Sequence, residues 1–156
     1  MSRKGFTLVE VLIVVVIAVV VTMFSVPAYK KAQDRSRYMS AAGTLMDVGN
    51  GVRMLMQEYP DLEIDTLTIT ANNTSSDENP TTDNVVGWLQ SNKYMSPIPL
   101  QGGKHKGYVL AISTMGTASC TESCEPADAV ACMCGDNLLE EYKCAWVTSD
   151  GILRNN

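Results

Sequence analysis

From Val11 to Tyr29 the chain runs nineteen residues without a charged side chain, and Val11–Val21 (VLIVVVIAVVV) is apolar without interruption. As an α-helix rising about 1.5 Å per residue, this stretch is about 28 Å long. That is close to the roughly 30 Å hydrocarbon layer of a bilayer. Valine is a mediocre helix former in water, yet a single span in lipid has to be helical, because its backbone groups find no other partner there. A soluble core helix this rich in valine fits poorly, and a hydrophobic hairpin lacks a turn. Two ordinary readings remain. One is a membrane-spanning helix. The other is a cleaved secretory signal, for which Val26-Pro27-Ala28 supplies small residues at the cleavage point.

The whole-chain averages hide this segment. The 156 residues carry a net charge of −5 and a mean hydropathy of +0.01, the profile of an ordinary soluble protein. Residues 1–59 hold seven cations and four anions; residues 60–156 hold five cations and thirteen anions. All five cysteines (Cys120, Cys124, Cys132, Cys134, Cys144) lie in the second part. An oily, then basic, stem therefore precedes an acidic, cysteine-bearing head. The length is too short for a barrel or doubly wound enzyme with a second domain. The acidic balance argues against nucleic-acid contact.

One residue serves neither an anchor nor a signal. Glu10 stands at the mouth of the apolar run, among Phe6, Leu8, Val9 and Val11. A carboxylate at a membrane helix is a functional feature by default and asks for a cationic partner. The string Lys4-Gly5-Phe6-Thr7-Leu8-Val9-Glu10, followed by the apolar run and Pro27, resembles the type IV prepilin processing motif. The chain is thus similar to the type IV pilins and the type II secretion pseudopilins over about residues 3–60.

That resemblance implies a leader at residues 1–5, cut after Gly5 by a prepilin peptidase, and methylation of the new N-terminal Phe6. It implies a membrane and filament-core helix at 6–29, an amphipathic continuation at 30–59 and a globular head at 60–156. Glu10 would pair with the N-terminal amine of a neighbouring subunit, and that amine is mostly cationic below about pH 8. Pro27 falls where many pilins have a proline. The implied fold is α+β: one long N-terminal helix whose C-terminal half packs on a small antiparallel sheet. The implied role is a structural subunit of a type IV pilus, with identical subunits and the assembly machinery as partners. The subunit would wait in the inner membrane and then move to the extracellular filament. A minor pilin or a pseudopilin is the nearest alternative. A secreted, disulfide-bonded binding domain with an ordinary signal is the alternative from another class.

The residues themselves support a helix well past the membrane. Tyr38, Ala41, Leu45, Val48, Val52, Leu55 and Tyr59 step by three and four, a single apolar face. Pro60 ends the pattern, since the residue before a proline avoids the helical region. Pro27 lacks an N–H and cannot bond back to Met23, so a bend or opening is expected over residues 22–27, with the hydroxyls of Thr22 and Ser25 offering hydrogen bonds nearby. Gly43, Gly49 and Gly51 weaken the helix and leave room for close approach of the head. Charge counting is at odds with a head outside the cytoplasm. Lys30, Lys31, Arg35 and Arg37 outnumber the leader's Arg3 and Lys4. The clustered cysteines favour the outside.

In the head, Asp61–Thr70 reads as a short extended stretch, and Ala71–Asn84 as a polar loop in which Asn72 and Asn73 match the glycosylation pattern by sequence alone. Val85–Tyr94 reads as a short helix that packs Trp88 and Leu89. Strands are expected at Gly107–Thr114, Tyr142–Thr148 and Gly151–Arg154, the last two joined by a turn at Asp150-Gly151. With Trp88 and Trp146 but no phenylalanine, the head has a thin core that crosslinks would help. The spacing C-x₃-C-x₇-C-x-C suits disulfides better than zinc, whose ligand pairs are usually C-x₂₋₄-C. Cys144 is expected to pair with Cys132 or Cys134, and Cys120 with Cys124; five is odd, so one is left over. His105, between Lys104 and Lys106, reads as solvated. Asp61, Glu63, Asp65, Glu140 and Glu141 read as a solvated acidic face. No cofactor, metal site or catalytic constellation is evident, and TSDGILRNN does not look like the calcium loop of major pseudopilins.

Overall fold

The computed structural model describes residues 7–70, 79–120, 124, 126, 128–135, 138 and 140–155. The leader, Phe6 and the sequons at Asn72 and Asn73 lie outside them.

One helix, α1 (Leu8–Glu58), carries the molecule. It starts at an N-cap on Thr7 and ends as the Tyr59 N–H reaches the Leu55 carbonyl at 2.7 Å, just before Pro60. Of the predicted apolar face, Tyr38, Ala41, Leu45, Val48, Val52 and Leu55 are buried and Tyr59 is half-buried. Among the described residues, nothing covers the stretch before it. From Leu8 to Val26 every large apolar side chain is between 48 % and 81 % exposed. The helix is thus two halves with opposite needs: one already packed on its own head, the other uncovered.

The sheet has five antiparallel strands in sequence order: β1 (Leu67–Thr68), β2 (Tyr108–Ile112), β3 (Ala129–Gly135), β4 (Cys144–Thr148) and β5 (Leu153–Asn155). Side chains alternate across it, as the pleat requires. Tyr108, Leu110, Ile112, Met133, Ala145 and Val147 join the face that meets α1. Ala111, Cys132, Trp146, Cys134 and Cys144 lie on the far face, with Ala118, Cys120 and Cys124 covering them. The central strand β3 is therefore buried on both faces, all seven residues of it. The strands expected on either side of it are present, slightly shorter than expected. β3 itself was not expected, because a strand covered on both faces shows no polar alternation.

A second helix, α2 (Val85–Ser91), buries Val85, Val86, Trp88 and Leu89. It fastens to the end of α1 through rings: Tyr59 meets Trp88 edge-on at 5.3 Å, and Trp88 stacks on Tyr94 at 5.4 Å. The Tyr94 hydroxyl donates to Glu58 Oε2 at 2.6 Å. The glycines divide by position. A Cβ on Gly49 would lie 2.8 Å from Val147 Cγ1, so this residue sets how closely α1 approaches β4. Gly51 is moderately tight, with the Tyr94 carbonyl oxygen at 3.2 Å, and Gly43 faces open space.

Candidate functional site

The helix start is built by two side chains. Thr7 Oγ1 accepts from the Glu10 N–H at 3.3 Å, while Glu10 Oε2 accepts from the Thr7 N–H at 2.9 Å and the Thr7 hydroxyl at 2.8 Å. This is a reciprocal capping box, which satisfies two backbone donors that the first turn leaves unpaired. The signal was present in the sequence as Thr7-x-x-Glu10. Reading Glu10 only as a partner for another chain's amine missed it. Glu10 itself is exposed, so its carboxylate remains accessible while it caps. Gly5 and Phe6 lie outside the described residues.

Pro27 corrects part of one expectation. The helix runs unbroken through it, so it does not open over residues 22–27. The two nearby hydroxyls act one turn back: Thr22 Oγ1 donates to the Ala18 and Val19 carbonyls at 2.9 and 2.8 Å, and Ser25 Oγ donates to the Val21 carbonyl at 2.8 Å. Within a continuous helix they add side-chain hydrogen bonds to backbone acceptors, so both hydroxyls are satisfied by the helix itself. α1 is long and apolar enough to cross a membrane, and among the described residues nothing covers its apolar stretch.

Residues 1–26 match the family described as the prokaryotic N-terminal methylation motif. The chain carries a prepilin-like N-terminus. Neither a curated protein nor a solved structure matches the chain. The family match thus covers residues 1–26, the N-terminus and the first part of α1, and does not extend to the head.

In that head the cysteines cross-link differently from expectation. The disulfides are Cys120–Cys132 and Cys124–Cys144. The local Cys120–Cys124 loop is not formed, and Cys144 pairs with neither Cys132 nor Cys134. The physical reason is the sheet. Cys132 and Cys134 are two apart on β3, so both project to the far face, where the covering segment brings Cys120 and Cys124. The bridges tie that segment down onto the sheet. Cys134 belongs to neither bridge, and its Sγ lies 4.0 Å from Cys144 Sγ. The sulfurs of Cys124, Cys134 and Cys144 all lie within 4.8 Å of one another. With Cys124 and Cys144 joined, these three do not form a set of thiolate ligands.

His105 is also corrected: it is 3 % exposed rather than solvated. Its Nδ1 lies 3.2 Å from the Pro99 carbonyl oxygen, which can only accept, and its Nε2 lies 3.2 Å from Thr44 Oγ1 on α1. The ring pins its loop to the helix. Asp61, Glu63 and Asp65 are exposed as expected, with the Thr117 hydroxyl donating to the Asp65 carboxylate at 2.7 Å. Glu141 meets Lys31 at 3.3 Å, while the side chain of Glu140 is outside the described residues.

A tyrosine cluster closes the base of the head. Tyr38 and Tyr142 pack at 5.4 Å, and the Tyr108 hydroxyl donates to the Tyr142 carbonyl at 2.8 Å. Burial pushes the Tyr108 phenol up to about 12, with Tyr38 and Asp34 adding to the rise and Arg37 opposing it. Asp34 is 3 % exposed, and its Oδ2 has no hydrogen-bond partner among the described residues.

Proposed function

We propose that this chain is a structural subunit of a type IV pilus, released from its leader after Gly5, methylated at Phe6 and polymerised through α1. The uncovered apolar half of α1, behind a prepilin-like N-terminus, carries the reading. Such a surface is stable in lipid and unstable in water, so outside the membrane it has to be covered by something of its own kind. Copies of the same helix supply that cover in a filament whose shell is made by the heads. Glu10 pairs with the amine of a neighbouring Phe6, and the inner membrane holds the subunit beforehand. The two disulfides fit a head folded outside the cytoplasm.

Extraction from lipid is not driven by burial alone, because the apolar half is already satisfied there. Assembly therefore draws on dedicated machinery, as well as on helix packing and the Glu10 pair. The deciding measurement is the intact mass of the chain from sheared surface filaments. The expected mature chain starts at a methylated Phe6. A chain starting near Tyr29 would instead mark an ordinary secreted domain. Abundance in the same filaments separates a major subunit from a minor pilin or a pseudopilin.

A further inference from the structure

Beyond the Lys31–Glu141 ion pair, Lys30, Lys31, Arg35 and Arg37 have no part in the capping, packing or cross-linking described above, and by charge counting they oppose a head outside the cytoplasm. The structure adds two more cations to them from far along the chain. Lys104 and Lys106 line, together with Arg37, Gln101 and Gly107, a cleft of about 400 Å³. Their loop is held firmly. Gln101 pairs with Lys104 and His105 with Tyr108 as isolated bridges, and the buried His105 between the two lysines is anchored to Thr44 and Pro99. Lys106 takes a positive φ of 53°, and Gly107 follows at 94°, turning the chain back into β2.

Arg37, Lys104 and Lys106 thus share one cleft, and Lys30, Lys31 and Arg35 stand within two turns of Arg37 on the same helix, beside an otherwise acidic head. Asp34, on the same stretch of helix, is buried, and Glu141 meets Lys31. The helix cations stand next to the apolar stretch. Arg37 lies eight residues beyond Tyr29 on the same helix, about 12 Å along its axis. The headgroup layer occupies roughly the first 5–8 Å beyond the hydrocarbon, and an exposed charge is felt over a further 8–10 Å of physiological salt.

We propose that Lys30, Lys31, Arg35, Arg37, Lys104 and Lys106 form a collar that binds the phosphates of anionic phospholipids while the subunit resides in the membrane. This rests on the reading that Val11–Tyr29 spans the bilayer with the head outside the cytoplasm. Lipid is favoured over an acidic patch of a second copy by position. The collar adjoins the headgroups as soon as the stem is inserted, before any other subunit arrives. It seats the head on the bilayer, and lifting the subunit into a filament breaks these contacts.

The test uses the full chain in nanodiscs of phosphatidylcholine, with and without phosphatidylglycerol, labelled with a membrane-impermeant amine reagent and read by peptide mass spectrometry. Labelling of Lys104 and Lys106 is expected to fall several-fold in the anionic discs and to recover in high salt. Lys93, beside Tyr94 at the Glu58 end of the head, should label equally in both and serves as the internal reference. Equal labelling of Lys104 and Lys106 in both lipids, with the chain present in the discs, overturns the collar and leaves the membrane span standing. Protection in both lipids that disappears at one chain per disc assigns the patch to a second copy and overturns it as well. Failure of the chain to enter discs of either composition overturns the membrane reading instead.

Discussion

Glu10 caps the helix and, in the proposed filament, also pairs with an amine, two roles that a single substitution can separate. As a cap it needs only an acceptor oxygen three residues beyond Thr7, and glutamine offers one. As a partner for an amine it needs its charge. On the proposed function, Glu10→Gln is therefore expected to keep the helix start and membrane insertion but to reduce incorporation into filaments, measured as the amount of this chain in sheared filaments per cell. Glu10→Ala should lose both roles and fray the first turn. Normal filament yield from Glu10→Gln would leave capping as the residue's whole contribution. Tyr108 offers a second test, through pH. An unfolded tyrosine loses its proton near pH 10, whereas burial holds Tyr108 neutral up to about 12. Below pH 10 that contribution is fully present. Between 10 and 12 the unfolded chain ionises first, so stability falls as pH rises. Tyr108→Phe should flatten this alkaline slope in denaturant titrations, and should cost about 1 kcal/mol at neutral pH for the lost bond to the Tyr142 carbonyl. A slope unchanged by the substitution would place the alkaline loss elsewhere. His105 shows what residue-level reading missed. Two flanking lysines suggest a wet loop, but the turn at Lys106-Gly107 follows His105 directly, and the His105 ring lies against Thr44 and Pro99.

Among the elements, α1 was the most legible, because its second half is covered on one side only and so keeps a period near 3.6 from Tyr38 to Tyr59. β3 was the least legible. Its neighbours β2 and β4 carry bulky residues such as Leu110, Ile112, Trp146 and Val147, whereas β3 is mostly small and is covered on both faces. Its one usable cue was the pair Cys132 and Cys134, whose spacing of two is a strand period. The glycines of α1 convert this packing into a measurement. Gly49→Ala drives a methyl group into Val147 and should destabilise the head by about 1–3 kcal/mol. Gly43→Ala meets nothing and should stabilise it by up to about 1 kcal/mol. Chemical denaturation of the two variants in detergent reads both, and equal effects at the two positions would contradict the close approach of α1 to β4.

For the whole molecule, the division into an apolar stem and an acidic, cross-linked head was legible from charge and cysteine placement. The cysteine pairing was not, because it depends on which segment covers the far face of the sheet. The two bridges close separations of 12 and 20 residues. Each is worth about 3 kcal/mol in the loop-entropy account. Their sum is comparable with the entire stability of a small domain, about 5–15 kcal/mol. Reduction is therefore expected to lower the melting temperature by more than about 10 °C, followed by circular dichroism with and without a phosphine reductant. A melting point unmoved by full reduction would show that the α1 face of the sheet suffices alone.

The continuity of α1 through Pro27 has a mechanical consequence. Tension on the stem enters the head along the helix axis and is resisted at the buried stripe from Tyr38 to Leu55. There the load is a shear shared by many side chains at once, rather than a peel that breaks them in turn. Both disulfides lie on the other side of the sheet, out of that line. A pulled subunit would therefore yield by sliding its rod out from under the sheet, leaving the cross-linked cover still folded behind it.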